Sequence, residues 1–326
     1  MPVFNPPGME HPNIICPKCG LQFEKSELVS ANPSSFANLT QTISCPSCSS
    51  DFHPEDGTLE YFDKVSSNQV IGHPLTVGGC TNIGTIELPI GETTEENIET
   101  NSDFKVSLAL QGETDKQPGL GIDDLDGAKI KWHDGHLLID DAVVVDSVSI
   151  SDSEVGFITS QRTQTNQNTV TIAYNIQSRY SGVEQPPWAE LLEEAAAVFY
   201  RGRGIAEYPL VFSAFENFLG RELARTLHSQ GKSQQYIENY LEDKHTNMYG
   251  RFNDALDDVT GYRFEDYDNS TYTKIDDYRE ERNDRIVHVD PKDRAAKISV
   301  QDMKDCFSTI IEAMLVIHEI CYDERN

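Results

Sequence analysis

Two short cysteine motifs decide how the N-terminal part of this chain folds: residues 16–20 read CPKCG and residues 45–48 read CPSC. Each motif is typical of a tight turn that presents two thiolates to one ion, and 25 residues separate Cys19 from Cys45. Two such turns complete a tetrahedral site of four sulfur ligands, which suits zinc because this ion imposes no geometry of its own. The sequence therefore predicts a zinc ribbon with one structural Zn²⁺, held by Cys16, Cys19, Cys45 and Cys48.

Two other interpretations of these cysteines stay open. The motifs could be two redox-active Cys-x-x-Cys pairs, although neither of them opens a βαβ pattern as such pairs do. His53, five residues after Cys48, could replace one cysteine as a ligand, although an exposed loop histidine is the simpler interpretation. Four sulfur ligands leave no coordination position for a substrate, so the pattern favours a structural metal over a catalytic one. In so small a module the metal would supply most of the folding free energy.

The chain is strongly acidic: its 326 residues include 26 Lys and Arg against 54 Asp and Glu, a net charge of −28. Its length predicts two or three domains. Hydrophobic residues make up 38% of the chain, which is enough to build folded cores. So large an acidic excess argues against a broad basic surface that clamps onto nucleic acid.

Cysteine use and hydropathy indicate the compartment. Seven cysteines are an odd number, and four of them lie in the paired motifs, which indicates metal chemistry in a reducing compartment and not a disulfide framework. No apolar run approaches the roughly 18–20 residues that cross a bilayer. Residues 1–7 have neither the basic end nor the apolar stretch of a secretory signal. We therefore expect a soluble, cytoplasmic protein with no membrane partner.

Three regions follow one another along the chain: a zinc ribbon at 1–57, a β-rich domain at 58–182 and a helical domain at 186–326. The predicted fold class is therefore multidomain α+β. In the middle region short alternating stretches are separated by turn residues, and Asp134-Gly135 favours a type I′ hairpin between its flanking strands. This pattern predicts a small β sandwich or barrel.

The helical region begins at the double proline 186–187. Its periodicity predicts long helices over about 208–229 and 300–321, a less regular one over about 237–259, and another over about 271–288. The long helices have apolar residues at three- and four-residue spacing, namely Phe212, Phe215, Leu219, Leu223 and Leu227 in one, and Val300, Met303, Phe307, Ile310, Met314, Ile317 and Cys321 in the other. Four or five antiparallel helices around one core form the expected architecture.

The predicted helix over 271–288 ends in a basic stretch, RNDRIVH at residues 282–288, shortly before a proline. Arg282 lies on the same helical stripe as Ile275, a position that would bury its aliphatic stem toward the other helices or toward a partner. Proline disfavours helix at the residue before it, so we expect His288 in the last turn or just past it. A helix C-terminus there would favour a protonated imidazole.

This stretch resembles the motif of HEPN-domain proteins, in which an arginine followed by an asparagine precedes a histidine by four to six residues. Here Arg282 and Asn283 precede His288, with five residues between the arginine and the histidine. The position of the motif, near the end of a late helix in an all-helical region, is also similar to that of the family. The resemblance covers residues 186–326 and leaves the ribbon and the β-rich region outside it.

The resemblance implies a metal-independent endoribonuclease, in which the ribose 2′-hydroxyl attacks the adjacent phosphorus and leaves a 2′,3′-cyclic phosphate. His288 would act as general base or acid. Arg282 would bind the phosphoryl oxygens as negative charge builds on them. Asn283 would contact the phosphate or orient the histidine.

The same resemblance implies partners. One motif supplies one histidine, so a two-fold homodimer through the helical domain is expected to bring two motifs together. The other implied partners are an RNA substrate and an antitoxin or another regulatory protein. The chain would then be a toxin or an antiviral defence effector.

Alternative interpretations accompany this one. Arg282 and its basic neighbours could form surface ion pairs with adjacent acidic residues, each contributing little, and His288 could be a residue of the helix cap. The competing function is a non-catalytic nucleic-acid-binding or assembly protein, in which the helices dimerise and the ribbon contacts the ligand. A zinc-dependent hydrolase is disfavoured, because the cysteine site has no open position.

Overall fold

The structure is a computed structural model, and it describes residues 9–23, 42–66, 75, 77, 79–89, 94–99, 107–113, 131–133, 136–139, 143–150, 154–161, 169–179, 185–200, 207–243, 250–282 and 300–325. The chain divides into two compact units. The first unit comprises Met1–Ser34, Ile43–Val183 and Ala196–Arg203, and the second comprises Ser35–Thr42, Glu184–Ala195 and Gly204–Asn326. The described part is mostly helical, with a four-cysteine cluster near its N-terminus.

The described strands all belong to the first unit. They are β1 (Met9–Pro12), β2 (Ile43–Ser44), β3 (Asp51–Phe52), β4 (Gly79–Pro89), β5 (Thr94–Glu99), β6 (Ser107–Glu113), β7 (Lys131–His133), β8 (His136–Ile139), β9 (Val143–Ile150), β10 (Glu154–Gln161) and β11 (Thr169–Arg179). They form a four-stranded sheet in the order β1-β4-β11-β6, a five-stranded sheet in the order β5-β10-β9-β8-β7, and the small pair β2-β3.

The first strand connects the cysteine region to the four-stranded sheet. β1 lies within the range predicted for the ribbon, yet it pairs antiparallel with β4, with Met9 opposite Ile83 and Pro12 opposite Cys80. It is an edge strand. Proline is tolerated there, because an edge strand has one side on which no N–H is needed for pairing.

The predicted hairpin of the middle region is present. β7 and β8 pair antiparallel with His133 opposite His136, which leaves two residues for the connection. A two-residue connection is the loop length for which Asp-Gly is favoured, although residues 134–135 themselves lie outside the described part. β10 and β11 follow each other in the chain but lie in different sheets. The sandwich or barrel arrangement of these sheets stays a prediction.

A short helix that the sequence analysis did not identify follows the second cysteine motif. It is α1 (Pro54–Tyr61), and a π-helical turn, Phe62–Ser66, continues it. Pro54 occupies the first helical position and acidic residues follow in the first turn, both of which suit a helix N-terminus. Just before it, the backbone N–H of His53 donates to Oδ2 of Asp56 over 3.3 Å. His53 therefore lies at the helix cap.

The remaining described helices follow residue 186. They are α2 (Pro187–Tyr200), α3 (Glu207–Ser229), α4 (Gln234–Asp243), α5 (Leu256–Thr260), α6 (Phe264–Tyr267), α7 (Asn269–Arg282) and α8 (Val300–Arg325), with a π-helical turn over Gly250–Ala255. The two long predicted helices are confirmed as α3 and α8. The helix expected over 237–259 is described in part: α4 is described to Asp243, residues 244–249 lie outside the described part, and α5 is followed by Gly261, whose φ is 76°. The predicted extension of α7 over 283–288 lies outside the described residues.

The apolar stripes of α3 and α8 form the centre of the helical unit. The apolar residues predicted for these two stripes are buried wherever their side chains are described, which leaves out Val300, and the two helices pack against each other. α7 also packs on α8 and contributes the buried side chain of Ile275. The antiparallel bundle as a whole stays a prediction. Among the described helices, each is too short or too polar to cross a bilayer.

Candidate metal centre and the segment around Arg282

The two cysteine motifs fold into the same backbone turn. In the first, the N–H of Gly20 donates to the carbonyl of Cys16 over 2.8 Å, and in the second the N–H of Ser49 donates to the carbonyl of Cys45 over 2.9 Å. Gly20 and Ser49 both have positive φ, 73° and 58°. Glycine adopts this left-handed conformation freely, whereas serine does so at a cost. The second turn therefore forms although Ser49 disfavours the left-handed conformation that it adopts there.

The turns bring the four predicted ligands together. The sulfur atoms of Cys16, Cys19, Cys45 and Cys48 all lie within 4.8 Å of one another. The Sγ atoms of Cys16 and Cys48 are 3.7 Å apart, and those of Cys19 and Cys45 are 3.6 Å apart. Around a tetrahedral zinc ion with Zn–S bonds of about 2.3 Å, neighbouring sulfurs are separated by about 3.8 Å. The cluster thus has the size and the donor set of a four-thiolate metal site.

The same distances argue against the disulfide chemistry of a redox pair. A disulfide bond is about 2.05 Å long, and all four cysteines are free thiols. The contacts at 3.6 and 3.7 Å join cysteines of different motifs, whereas a redox pair joins the two cysteines of one motif. A single ion bound by both motifs explains why the close sulfur contacts connect one motif with the other.

Hydrogen bonds around Cys48 favour its thiolate form. The hydroxyl of Ser50 lies 2.9 Å from Sγ of Cys48 and 3.6 Å from Sγ of Cys16. This hydroxyl, together with the backbone N–H of Ser50, lowers the pKa of Cys48 to about 6. Burial alone would raise the pKa of Cys16, but hydrogen bonds from the backbone of Cys19 and from Ser50 outweigh it, and the pKa of Cys16 is lowered.

The exposed Cys19 behaves differently. The backbone N–H of Leu21 favours its thiolate, but desolvation and the other three sulfurs outweigh that bond and raise the pKa of Cys19 to about 11. Without a cation, the cluster therefore resists holding four negative charges at neutral pH. A divalent metal ion would remove this resistance, since coordinated thiols are deprotonated.

A small apolar core lies behind the cluster. Ile14, Phe23 and Phe52 are buried, and the rings of the two phenylalanines meet edge to face with centroids 5.7 Å apart. α1 passes close to this core at Gly57, whose carbonyl accepts the N–H of Ile15 over 2.9 Å. A Cβ atom on residue 57 would lie 2.7 Å from Cγ2 of Ile14, closer than real contacts allow. The sequence therefore needs glycine at this point of the helix.

Arg282, the predicted phosphate ligand, is the last described residue of α7. Its guanidinium carbon lies 5.0 Å from the centroid of the Phe212 ring on α3, and its Nη1 lies 4.0 Å from Oε1 of Glu216. The side chain is 22% exposed. The expectation that its stem is buried toward the other helices is confirmed. A partly exposed ion pair of this length contributes little to stability.

The last turn of α7 is fixed by Tyr208 on α3. The buried hydroxyl of Tyr208 donates toward Oε2 of Glu281 at 3.2 Å and the carbonyl oxygen of Asp302 at 3.3 Å. Burial, followed by the nearby Cys306 and Glu281, raises the pKa of Tyr208 well above its usual value. The hydroxyl is therefore a permanent donor, and it joins α3, α7 and α8 next to Arg282. Asn283 and His288 lie outside the described residues, so the meeting of the arginine with the histidine stays a prediction.

A buried charged cluster between α3 and α8 was not predicted. Glu222 is fully buried; its Oε1 accepts Nη1 of Arg225 over 2.6 Å, and its Oε2 lies 3.0 Å from Nη1 of Arg325 and 3.2 Å from Nδ1 of His318. Burial would raise the pKa of Glu222, but the two guanidinium groups and His318 outweigh it and hold that pKa well below its usual value. The carboxylate is thus charged and multiply paired inside the helical unit.

A signal for this cluster was present in the sequence. Glu222 follows the core residue Leu219 by three positions, and His318 follows Met314 by four, so both stand on the buried stripes of their helices. Two oppositely charged or hydrogen-bonding residues on facing stripes can satisfy each other. Which stripes face each other depends on tertiary packing, which helical periodicity does not specify.

Comparison of the chain with models of known protein families, with curated proteins and with solved structures finds no match.

Proposed function

We propose that the N-terminal cysteine cluster is a structural zinc site and that the helical region is a metal-independent endoribonuclease of the HEPN type. The zinc assignment has direct support in the sulfur–sulfur separations of 3.6 and 3.7 Å, which match the edges of a tetrahedral thiolate site. Zinc is the ion of choice for four thiolates, because it has no redox chemistry and tolerates the geometry that the protein imposes. In this role Cys16, Cys19, Cys45 and Cys48 bind the ion and close the module around it.

Metal analysis tests the zinc assignment. Purified protein is expected to contain about one zinc per chain, and Co²⁺ in its place should give the absorption of a tetrahedral thiolate site. Cys45→Ser should lose the metal, whereas Cys306→Ser, which changes a buried cysteine of α8, should keep it. Protein that is folded, fully reduced and free of metal, and that takes up neither ion, would refute the assignment.

The ribonuclease proposal is supported by the residue types of the segment and by the surroundings of Arg282. The guanidinium is partly exposed, lies on the ring of Phe212, and is held at the end of a helix that Tyr208 anchors. Residues 279–304 are close to balance between basic and acidic side chains, in contrast to the strong acidic excess of the whole chain. A phosphodiester would therefore be repelled less here than elsewhere on the chain.

In the proposed reaction His288 takes the proton of the ribose 2′-hydroxyl, or donates one to the leaving 5′-oxygen. The 2′-oxygen forms its bond to phosphorus as the bond to the 5′-oxygen breaks, which leaves a 2′,3′-cyclic phosphate. Arg282 stabilises the charge that develops on the phosphoryl oxygens, and Asn283 contacts the phosphate or orients the imidazole. A homodimer would supply the second histidine that in-line displacement needs.

An RNA cleavage assay in the presence of a chelator tests this proposal. Wild-type protein should cleave RNA and leave cyclic phosphate ends, and His288→Ala should reduce the rate by about 10²–10⁴-fold. His228→Ala, which removes an exposed histidine of α3, is the matched control and should retain full activity. Equal cleavage by wild type and His288→Ala would contradict the proposal. Cleavage lost on chelation from protein that stays folded would instead support a zinc-dependent hydrolase.

A non-catalytic nucleic-acid-binding or assembly protein is the second candidate. It is favoured by the one site whose geometry is complete in the described residues, the cysteine cluster, because zinc ribbons of this type also serve as binding modules. RNA binding that survives His288→Ala and is abolished by Cys45→Ser, without any cleavage, would favour this candidate. In either case we propose that the two larger sheets form a small sandwich or barrel and that the helices form an antiparallel bundle.

A further inference from the structure

The two turns that hold the cysteines differ at one position. The residue two places after the second cysteine of each motif is Leu21 in the first turn and Ser50 in the second. The backbone N–H groups of both residues interact with the preceding sulfur, that of Cys19 and that of Cys48 respectively. Both turns therefore share this backbone interaction. The side chain of Ser50 also has a hydroxyl group, whereas the aliphatic side chain of Leu21 cannot form a hydrogen bond.

The hydroxyl of Ser50 contacts one sulfur of each motif. Its oxygen lies 2.9 Å from Sγ of Cys48, in its own turn, and 3.6 Å from Sγ of Cys16, in the other. The residue is held in place, because its carbonyl accepts the N–H of Cys45 over 2.9 Å. A thiolate bound to a cation keeps part of its negative charge, and a hydrogen bond donated to it stabilises that charge.

We infer that Ser50 is a positioning residue of the metal centre, whose hydroxyl holds the sulfurs of Cys48 and Cys16 at the separation that a four-thiolate metal ion requires. This inference rests on the proposed metal binding. Partners that orient metal ligands typically change metal affinity by about 10–100-fold when they are removed. The second turn needs such support more than the first, because its Ser49 already adopts an unfavourable backbone conformation.

The test compares Ser50→Ala and Ser50→Thr with Ser47→Ala, an exposed serine of the same turn. Competition against a chromophoric chelator measures the Kd for Zn²⁺ of each full-length protein. We expect Ser50→Ala to bind zinc about tenfold or more weakly, and Ser50→Thr and Ser47→Ala to remain within about twofold of wild type. In Co²⁺-loaded protein, the sulfur-to-cobalt charge-transfer band should shift in Ser50→Ala and stay unchanged in Ser47→Ala, because the hydroxyl acts on the sulfur itself.

The possible results of this test distinguish the metal centre itself from the role of Ser50 in it. Wild-type protein that binds neither ion would refute the metal centre itself. Wild-type protein that binds zinc no more tightly than Ser50→Ala would overturn the role of Ser50 and leave the metal centre intact. An equal loss of affinity in Ser47→Ala would overturn it as well, since it would report a general loosening of the turn. If Ser50→Ala does not fold, Ser50→Thr decides, because weaker zinc binding with the hydroxyl retained contradicts the inference.

Discussion

Ser49 and Gly20 occupy equivalent places in the two cysteine turns, and the comparison shows what each residue contributes. Both have positive φ and both donate an N–H to the carbonyl of the first cysteine of their motif. The conformation of the turn is therefore set by the hydrogen bond that closes it around the two cysteines and not by the preference of the residue. A left-handed non-glycine residue of this kind costs about 1–2 kcal/mol.

Ser49→Gly is expected to stabilise the cysteine module by roughly 0.5–1 kcal/mol, because glycine removes the strain at φ 58° while costing some unfolded-state entropy. Chemical denaturation of the metal-loaded protein measures the change. Ser49→Val is the opposite variant and should destabilise, since a β-branched residue tolerates this conformation worst. A lower midpoint for Ser49→Gly than for wild type would contradict the prediction.

Gly57→Ala is expected to destabilise the same module by about 1–3 kcal/mol, as overpacking of a small core does. The new Cβ would lie 2.7 Å from Cγ2 of Ile14 and 2.8 Å from Cε2 of Phe52, so the helix or the core must move. Zinc affinity should fall in parallel, because metal binding and folding of the module are coupled. Glu60→Ala, at a half-buried position of the same helix, serves as the control and should bind zinc as wild type does.

At the scale of elements, α3 and α8 are joined by an apolar stripe and by one buried charged cluster. Glu222 receives hydrogen bonds from both Arg225 and Arg325 and contacts His318, while its own side chain has no exposure. Removing the charge of such a carboxylate leaves two guanidinium groups buried without their counter-ion, which is strongly destabilising. The cluster thus constrains which face of α8 meets α3.

Glu222→Gln is expected to lower the stability of the helical unit by about 3 kcal/mol at pH 7. The folded-state pKa of Glu222 is lowered, so the contribution of its charge is complete above the unfolded-state pKa of about 4.3 and declines as pH falls from there toward the folded-state pKa. The difference between wild type and variant should therefore be constant from pH 7 to about 5 and shrink below about 4.

Denaturant midpoints followed by helical circular dichroism at each pH measure this difference. Glu238→Gln, on the exposed face of α4, is the control and should show little change at any pH. A Glu222→Gln effect that grows on acidification would contradict the assignment, because it would require the folded-state pKa of Glu222 to lie above its unfolded-state pKa instead of below it.

The elements that the sequence predicted well are those with a strong internal signal. The spacing of Phe212, Phe215 and Leu219 locates α3, and the two Cys-x-x-Cys motifs locate four residues whose sulfurs do meet. α1 was not identified, because its eight residues lack an apolar stripe and its burial depends on contacts such as that of Gly57 with the core. Local periodicity contains no information about such contacts.

At the scale of the whole molecule, the cysteine module and the long helices depend on different sources of stability. The unit with the cysteine cluster has a small apolar core around the motifs, whereas the unit with α3 and α8 has long buried stripes. Metal binding stabilises the native state of the module that holds the ion. The units should therefore respond differently when the metal is removed.

Removal of the proposed zinc ion by a strong chelator is expected to unfold the cysteine module and to leave the long helices intact. Hydrogen exchange followed by mass spectrometry should show faster exchange in peptides from 9–23 and 42–61, and unchanged protection in peptides from 207–229 and 300–325. Cys19→Ser should reproduce the pattern without a chelator. Equal loss of protection in α3 and α8 would show that the metal supports the whole chain, contrary to this expectation.

The pairing of β1 with β4 has a consequence for the recovery of the metal-free protein. Because Pro12 lies opposite Cys80, the stretch between them leaves the sheet and returns to it at adjacent strands, about 5 Å apart. The cysteine turns therefore lie in a loop whose two ends are held together by the pairing of β1 with β4. The entropy cost of closing that loop is already met when this pairing forms. When a metal ion is added back, its four ligands come together within a loop that is closed at both ends, and not from a free chain end. Rebinding of the ion should therefore be rapid and reversible for as long as β1 stays paired with β4.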